Sequence, residues 1–222
     1  MSSHVRILGI AGSLHRRSYN QAALRAAKLL APENSEIDLF QLDGIPMFNE
    51  DDEKRPPASV LELKKRIRSA NSVLIVTPEY NYSIPGVLKN AIDWASRPHG
   101  DSAWSGKSAA IMGASLGAIG TARAQYHLRQ IFVALNLFPL NQPEVIIADA
   151  AHRFDEGNLI HEPTKQLIQE LLKNLVDWTR RISSAPAKLT LLEAQLMEGE
   201  IQRPETLNSP VTETSARNGA WR

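Results

Sequence analysis

The chain has 222 residues, 43% of them hydrophobic, which is enough apolar material for a domain that folds unaided. Its 25 lysine and arginine residues nearly balance 24 aspartate and glutamate residues, which argues against nucleic-acid partners and electrostatic membrane contact. Because it has no cysteine, disulfides, thiolate metal sites and a cysteine nucleophile are excluded, and a reducing compartment is favoured.

The first predicted element is a strand at Val5–Ala11, an apolar run that ends in a polar loop. A helix is predicted at Ser18–Leu30, where Ser18 and Gln21 match the sequence of a capping box. A phosphate group at this helix start would meet backbone N–H groups, serine hydroxyls, the Asn20 amide and the positive end of the helix dipole. The alternative, a capped helix beside a solvated basic loop, explains Ser18 but not Asn20.

Strands and helices alternate along the rest of the chain, which is typical of a parallel sheet with helices on both faces. We predict the α/β class, with a five-stranded parallel sheet in the order 2-1-3-4-5. The other predicted strands are Glu36–Phe40, Ser72–Thr77, Ser108–Gly113 and Glu144–Ala148. The other predicted helices are Ala58–Ala70, Gly86–Ser96, Thr121–Leu137 and Thr164–Ser183. Leucine, isoleucine and valine recur at helical spacing in the last helix, so one of its faces must be buried.

A turn rich in proline, tyrosine and asparagine follows the third predicted strand. Pro78 and Pro85 restrict its backbone, so the N–H groups between them can point outward. Tyr80 and Tyr82 add planar walls that suit a flat ring. We interpret Ser83 as the N-cap of the next helix, which places the positive end of a helix dipole beside this turn. The alternative is an ordinary proline-rich connection between a strand and a helix.

Other patterns are less specific. The segment from Gly100 to Ser108 resembles a P-loop, but five residues separate Gly100 from Gly106 where the motif requires four. His127 lies on a helix with an apolar face and is interpreted as a surface or interface residue. No histidine has partners at the spacing of metal ligands, so we predict no metal site.

The chain contains three motifs, GSLHRRSYN, TPEYNYSIPGVLKNAIDW and GASLGAIGTARAQYHLRQIF, that resemble those of the NAD(P)H-dependent FMN reductase family. This family has the flavodoxin-like fold and includes quinone, azo-dye and chromate reductases. The resemblance extends from about Val5 to Ile182. By this resemblance, the first loop holds the FMN phosphate, the second lies along the isoalloxazine ring, and the third flanks the ring and ribityl chain. The residues implied to contact FMN are Ser13, His15, Arg16, Ser18, Tyr19, Asn20, Pro78, Glu79, Tyr80, Asn81, Tyr82, Ser115 and Gly117.

One position departs from the family pattern. The family usually has arginine where this chain has His15, and Arg16 comes next. Either Arg16 takes over the phosphate contact, or the site is weaker and more sensitive to pH, because histidine changes charge near neutral pH.

The resemblance implies an oxidoreductase that uses NADPH or NADH to reduce free flavin, quinones or similar small-molecule acceptors by hydride transfer through flavin N5. Because the flavin carries this chemistry, we predict no essential catalytic side chain. The main alternative is a flavodoxin-like electron carrier without NAD(P)H turnover. A nonenzymatic scaffold is a third interpretation and rests on composition alone.

The resemblance also implies a homodimer or homotetramer with the flavin near the subunit contact. Asn90–Trp94 and Arg123–Arg129 are the candidate surfaces for this contact. Arg123, Tyr126 and Glu144 are interpreted as a polar network, either between subunits or within one chain.

The last part of the chain differs in composition from the rest. We predict a flavodoxin-like domain over residues 1–183 and a C-terminal extension over 184–222, partly disordered, because proline and polar residues dominate after Ser184. A short helix at Leu189–Gly199 is a further expectation. No apolar run approaches the ~18 residues that span a bilayer, and polar residues interrupt any signal sequence, so we expect a cytoplasmic protein without a membrane partner.

Overall fold

The computed structural model describes residues 4–184, which are built around a parallel sheet. Its strands are β1 (Val5–Ala11), β2 (Ser35–Phe40), β3 (Ser72–Val76), β4 (Ser108–Ala114), β5 (Phe138–Pro139) and β6 (Val145–Ile147). The order β2-β1-β3-β4-β5 confirms the predicted sheet. Every pairing in this sheet is parallel, so the carboxyl ends of the strands lie along one edge.

Two short strands share the fifth position of the sheet. β5 pairs with the start of β4, where Ser108 faces Phe138, and β6 pairs with its end, where Ala114 faces Ile147. The predicted strand at Glu144–Ala148 matches β6 and misses β5. The second residue of β5 is Pro139, which supplies no N–H for pairing with a neighbouring strand. Proline is tolerated at the edge of a sheet, and β5 lies at this edge.

Five helices cover the two faces of the sheet. They are α1 (Tyr19–Leu29), α2 (Ala58–Ser69), α3 (Gly86–Ala95), α4 (Ala122–Leu135) and α5 (Glu162–Ser183). One apolar core lies between the sheet and helices α1 and α5, and the other lies between the sheet and helices α2, α3 and α4. The predicted apolar face of the last helix is buried, from Ile168 to Val176. Because helices cover both faces of the sheet, every residue of β3 and β4 is buried, and all but the first serine of each strand are apolar or glycine.

A short hairpin near the end of the sheet was not predicted. Its strands are β7 (Phe154–Asp155) and β8 (Asn158–Leu159), joined by Glu156 and Gly157, which both have positive φ. Strands of two residues are too short to show the alternation on which sequence-based prediction depends. The hairpin packs on α1.

The predicted C-terminal extension, with its short helix at Leu189–Gly199, lies outside the described residues. Among the helices of residues 4–184, none combines the length and the apolar character needed to cross a membrane.

We expect Gly113→Ala to lower the free energy of unfolding by about 3 kcal/mol or more, because overpacking a rigid site is costly. A Cβ atom here would lie 2.1 Å from Thr121 Oγ1 and 2.3 Å from the Thr77 carbonyl oxygen. Gly86→Ala is the matched control, since a Cβ at the start of α3 would meet nothing within 4 Å. Urea unfolding of both variants measures the difference, and equal stability would contradict this packing.

Candidate functional site

Three loops meet at the carboxyl edge of the sheet. The first loop (residues 12–18) follows β1, the second (residues 77–85) follows β3, and the third (residues 115–121) follows β4. Backbone hydrogen bonds tie the start of each loop to its neighbour: Gly12 N to Val76 O, 2.8 Å; Thr77 N to Met112 O, 3.0 Å; Ser115 N to Ile147 O, 2.9 Å. This edge is where open parallel sheets bind ligands.

The first loop offers backbone donors at the start of α1. Ser18 is the N-cap, as predicted, and its Oγ accepts from the N–H groups of Asn20 and Gln21 at 3.2 and 3.5 Å. Ser13 is buried, and its Oγ accepts from His15 N at 3.2 Å, which leaves its own hydroxyl hydrogen free to donate. Five backbone N–H groups of this region donate to no acceptor within the described residues. They belong to Ser13, Leu14, Arg16, Arg17 and Tyr19. Such donors at a helix N-terminus form an anion site.

The reciprocal half of the predicted capping box is absent from this loop. Ser18 N donates to the His15 carbonyl at 3.0 Å, and the Gln21 side chain donates to the Ser13 carbonyl at 2.8 Å. Gln21 therefore holds the loop rather than capping the helix. A spacing motif cannot distinguish these two uses of the same side chain.

Asn20 joins two of the loops. Its Nδ2 donates to the Ala114 carbonyl and its Oδ1 accepts from Ala114 N, both at 2.8 Å, and the side chain is buried. The sequence predicted a phosphate contact for this amide. The structure gives it a positioning role, since its Oδ1 and one Nδ2 hydrogen are used by Ala114, and the second Nδ2 hydrogen is left for the predicted contact.

The other first-loop residues of the prediction are more exposed. The side chains of His15 and Arg16 lie in solvent and contact no side-chain partner among residues 4–184, so both remain able to reach a phosphate. Tyr19 is half-buried, and its ring lies 5.5 Å from that of Phe154.

The second loop is a tight hairpin. Tyr80 N donates to the Ser83 carbonyl at 2.9 Å, and Ser83 N donates to the Tyr80 carbonyl at 3.0 Å. Asn81 and Tyr82 have φ values of 50° and 67°, as a type I′ turn requires. Tyrosine rarely adopts this left-handed backbone, which costs about 1 kcal/mol, so its ring must be held by other contacts.

Those contacts come from Glu79 and Arg123. The Glu79 side chain is only 6% exposed, and its carboxylate accepts from the backbone N–H groups of Arg123 and Ala124 at 3.0 and 3.2 Å. Glu79 thus caps α4 from another part of the chain. Thr121, the N-cap residue of α4, makes no side-chain hydrogen bond of its own to the helix start. The same carboxylate pairs with the Arg123 guanidinium, which stacks over the Tyr82 ring at 3.7 Å from the centroid.

This pairing has an electrostatic consequence. Hydrogen bonding to the Glu79 carboxylate raises the pKa of the Arg123 guanidinium above its ordinary value. Arg123 therefore stays charged over Tyr82. The sequence predicted that Glu79 would lie along a bound ring. Its carboxylate makes contacts within the chain, so its backbone N–H is the group left for such a ring.

Ser83 is not the N-cap that the sequence predicted. α3 begins at Gly86 with Pro85 as its N-cap, and the Ser83 hydroxyl lies 3.0 Å from His127 Nδ1 of α4.

Pro78 is held by the buried Thr77, whose hydroxyl donates to the Pro78 carbonyl at 2.9 Å. The backbone N–H groups of Glu79, Asn81 and Tyr82 donate to no acceptor in the described part of the chain.

The third loop is shaped by small residues. The half-buried Ser115 accepts from Gly117 N at 3.1 Å through its Oγ, and Gly117 is exposed. Gly120 has a φ of 64°, and a Cβ there would lie 2.3 Å from Ile146 Cγ2. The loop therefore lies close to the sheet without a side chain at residue 120.

Large apolar side chains are exposed around the three loops. They are Leu14 (53% exposed), Tyr80 (52%), Tyr82 (68%), Leu116 (65%) and Ile119 (57%). Free backbone donors lie among them. Residues 4–184 bring together no cluster of three metal-ligating side chains. The arrangement fits a flat apolar ring with a phosphate at one end.

A groove of about 720 Å³ lies elsewhere, along edge strand β2. Acidic and basic side chains line it, and no residue of the three loops does. We assign the site to the loops, because they combine free donors with exposed apolar side chains.

The sequence is similar to known proteins over most of its length. Residues 5–152 match the family model for NADPH-dependent FMN reductase. An NAD(P)H-dependent FMN reductase of Pseudomonas aeruginosa is 52% identical over 185 residues, which cover 82% of this chain and 99% of the relative. A 2-hydroxy-1,4-benzoquinone reductase of Burkholderia sp. is 43% identical over 177 residues, which cover 79% of this chain and 97% of the relative. The solved structure of FerB, a flavoenzyme NAD(P)H:(acceptor) oxidoreductase from Paracoccus denitrificans, superposes with a TM-score of 0.74 at 36% identity and covers 80% of this chain and 98% of that one.

We expect Asn20→Ala to lower the free energy of unfolding by about 2 kcal/mol, because it leaves a buried N–H and a buried carbonyl of Ala114 unpaired. Asn71→Ala is the matched control. Its Oδ1 also accepts from a backbone N–H, that of Arg6, but at an exposed position where water can replace it. Denaturant unfolding compares the two, and a loss as small as that of the control would show that the bridge is dispensable.

Proposed function

We infer the function of this chain from its family: the chain belongs to the NADPH-dependent FMN reductase family and is an FMN-dependent NAD(P)H oxidoreductase. This conclusion rests on a relative that is 52% identical over 99% of its length. The candidate site agrees with it, because unpaired backbone N–H groups that could bind a phosphate lie beside exposed flat side chains. Its acceptors are quinones, free flavin or similar small molecules, a class supported by the benzoquinone reductase among its relatives.

The first loop fits the phosphate of FMN. Five backbone N–H groups there have no protein acceptor within residues 4–184, and the Ser13 hydroxyl hydrogen is free. The positive end of the α1 dipole adds roughly half an elementary charge. Ser13, Ser18 and Tyr19 would line this site, with His15 or Arg16 supplying a positive charge from solvent.

The second and third loops fit the flavin ring. Pro78, Tyr80, Asn81 and Tyr82 would form one wall, and Ser115 with Gly117 the other. Glu79 acts on this wall indirectly, since it caps α4 and holds Arg123 over Tyr82. Asn20 likewise holds the phosphate loop against β4.

FMN, when bound, supplies the hydride acceptor, its N5 atom, so we assign no side chain as an essential catalyst. The chain's part is orientation and electrostatics. The free N–H groups of Glu79, Asn81 and Tyr82 are fixed donors for negative charge on the ring. The exposed apolar side chains around the loops would exclude water from the bound ring.

Assembly as a homodimer or homotetramer is part of this proposal. Tyr126 and Val133 on α4 are 50% and 83% exposed, which supports α4 as the contact. Asn90 and Trp94, in contrast, are 5% and 1% exposed within the chain and bond to the Pro46 carbonyl, so they cannot form a subunit surface. Tyr126 donates to Glu144 within the chain, and Arg123 pairs with Glu79 instead.

The proposal includes a location in the cytoplasm.

It also divides the chain into a flavodoxin-like domain and a C-terminal extension near residue 184. All the predicted cofactor contacts precede Ser184. Residues 185–222 are therefore proposed to be a dispensable extension.

We expect the FMN-loaded protein to oxidise NADPH or NADH with a quinone as acceptor, in a ping-pong pattern. One planar slot cannot hold the nicotinamide and a second flat acceptor together, so the two bind in turn. Initial velocities at several fixed quinone concentrations should give parallel double-reciprocal lines. No NAD(P)H oxidation would favour the electron carrier, and intersecting lines would show that both substrates bind at once.

We expect Ser13→Ala and Ser18→Ala each to weaken FMN binding about tenfold or more, because each removes a donor to a charged phosphate. Ser18→Ala should also cost about 1 kcal/mol of stability through the lost cap. Ser69→Ala, an exposed hydroxyl at the end of α2, is the control and should change neither. Fluorescence titration of FMN measures affinity; unchanged dissociation constants would refute the assignment of the phosphate loop.

A further inference from the structure

A pocket of about 590 Å³ lies on the outer side of the first loop, between α1 and the turn of the β7–β8 hairpin. We call it the arginine pocket, because Arg16, Arg17 and Arg25 line it together with the rings of Tyr19 and Phe154. Its volume lies within the range of small-molecule sites, about 300 to 1,000 Å³. It can therefore hold part of a nucleotide.

The arginine pocket concentrates positive charge in a chain whose formal net charge is only +1. Within residues 4–184, none of its three guanidinium groups forms an ion pair or a side-chain hydrogen bond. Glu156 is the one carboxylate among the lining residues. Guanidinium groups with all their donors free bind phosphate strongly and can do so in bidentate fashion.

The remaining walls suit a purine nucleoside. The rings of Tyr19 and Phe154 lie 5.5 Å apart at 46° and present aromatic surface. Arg25 lines the same pocket, and its Nη2 atom lies 3.5 Å from the place where a Cβ of residue 157 would stand. Gly157 has a φ of 81°, so the turn favours glycine and leaves the space beside Arg25 open.

The arginine pocket adjoins the predicted FMN phosphate site without coinciding with it. Ser18 and Tyr19 belong to both, since they line the pocket and also stand at the start of α1. Arg25 lies farther along α1, on the side that faces the hairpin. One phosphate at the helix start would use the backbone donors there and leave Arg17 and Arg25 for a second phosphate.

NADPH brings such a second phosphate to the enzyme. It shares its nicotinamide with NADH and differs by one phosphate monoester on the adenosine ribose. In other nucleotide sites an arginine near the ribose accommodates this group. We propose that the arginine pocket binds the adenosine phosphate monoester of NADPH through Arg17 and Arg25, and so makes NADPH the preferred hydride donor. This step rests on the proposed function.

The kinetic test compares both donors in the FMN-loaded wild-type protein and in Arg17→Gln and Arg25→Gln. Each substitution should lower the ratio of kcat/KM for NADPH to kcat/KM for NADH about tenfold, because it removes one charged contact to phosphate. Arg6→Gln is the matched control: it removes the same charge from an exposed position near the amino end of β1, outside the arginine pocket, and should leave the ratio unchanged.

The binding test needs no turnover. Adenosine 2′,5′-bisphosphate, adenosine 5′-monophosphate and inorganic phosphate are titrated calorimetrically into the FMN-loaded wild type and the two variants. The bisphosphate should bind more tightly than the other two probes, and Arg17→Gln and Arg25→Gln should each weaken its binding about tenfold.

Several results would overturn the proposal while leaving the oxidoreductase activity intact. One is an unchanged donor ratio in both variants. Another is an equal loss for NADPH and NADH, which would place the effect at FMN or at the ring. A third is bisphosphate binding no tighter than that of inorganic phosphate or the monophosphate. If the wild type oxidises neither donor, the proposed function itself fails.

Discussion

The two hydrogen bonds between the Asn20 side chain and the Ala114 backbone are the interaction on which the site depends. They join the first turn of α1 to the end of β4, between residues 94 positions apart in the chain. Because β3 lies between β1 and β4, this bridge ties together the loops on either side of the second loop. A buried amide with both ends paired tolerates little displacement, since an unpaired buried donor or acceptor is costly.

In the second loop, too, some polar groups hold the loop in place while others stay exposed. Glu79 uses its carboxylate to cap α4 and to hold Arg123, and Arg123 holds Tyr82 in a backbone conformation that tyrosine rarely adopts. What remains free is a set of backbone N–H groups and two exposed rings. In the first loop, Ser18 and Gln21 hold the backbone, and the N–H groups again stay free. The polar side chains of the motifs thus position the backbone of the candidate site.

Local charge at the site differs from what the overall composition suggests. The near balance of acidic and basic residues argues against a polyanion surface, yet three arginines without an ion pair among residues 4–184 gather between α1 and the β7–β8 hairpin. Two of them come from the first loop and one from the second turn of α1, so a helical face and a distant hairpin are both needed to form the pocket. Such a cluster can select between two donors that differ by a single phosphate without making the whole protein basic.

The sequence by itself determined the α/β class, the apolar face of the last helix and the three loops of the candidate site. Each of these leaves a local trace, because strand runs, helical spacing and turn residues act over neighbouring positions. The sheet order followed from the fold that this alternation of strands and helices fits. Only the tertiary structure decided what the polar residues of the motifs do. Asn20, Glu79 and Ser83 all find partners more than 40 residues away, on β4 and α4. Spacing along a chain holds no record of such contacts, so it could locate the site but could not separate the groups that hold it from the groups that face a ligand.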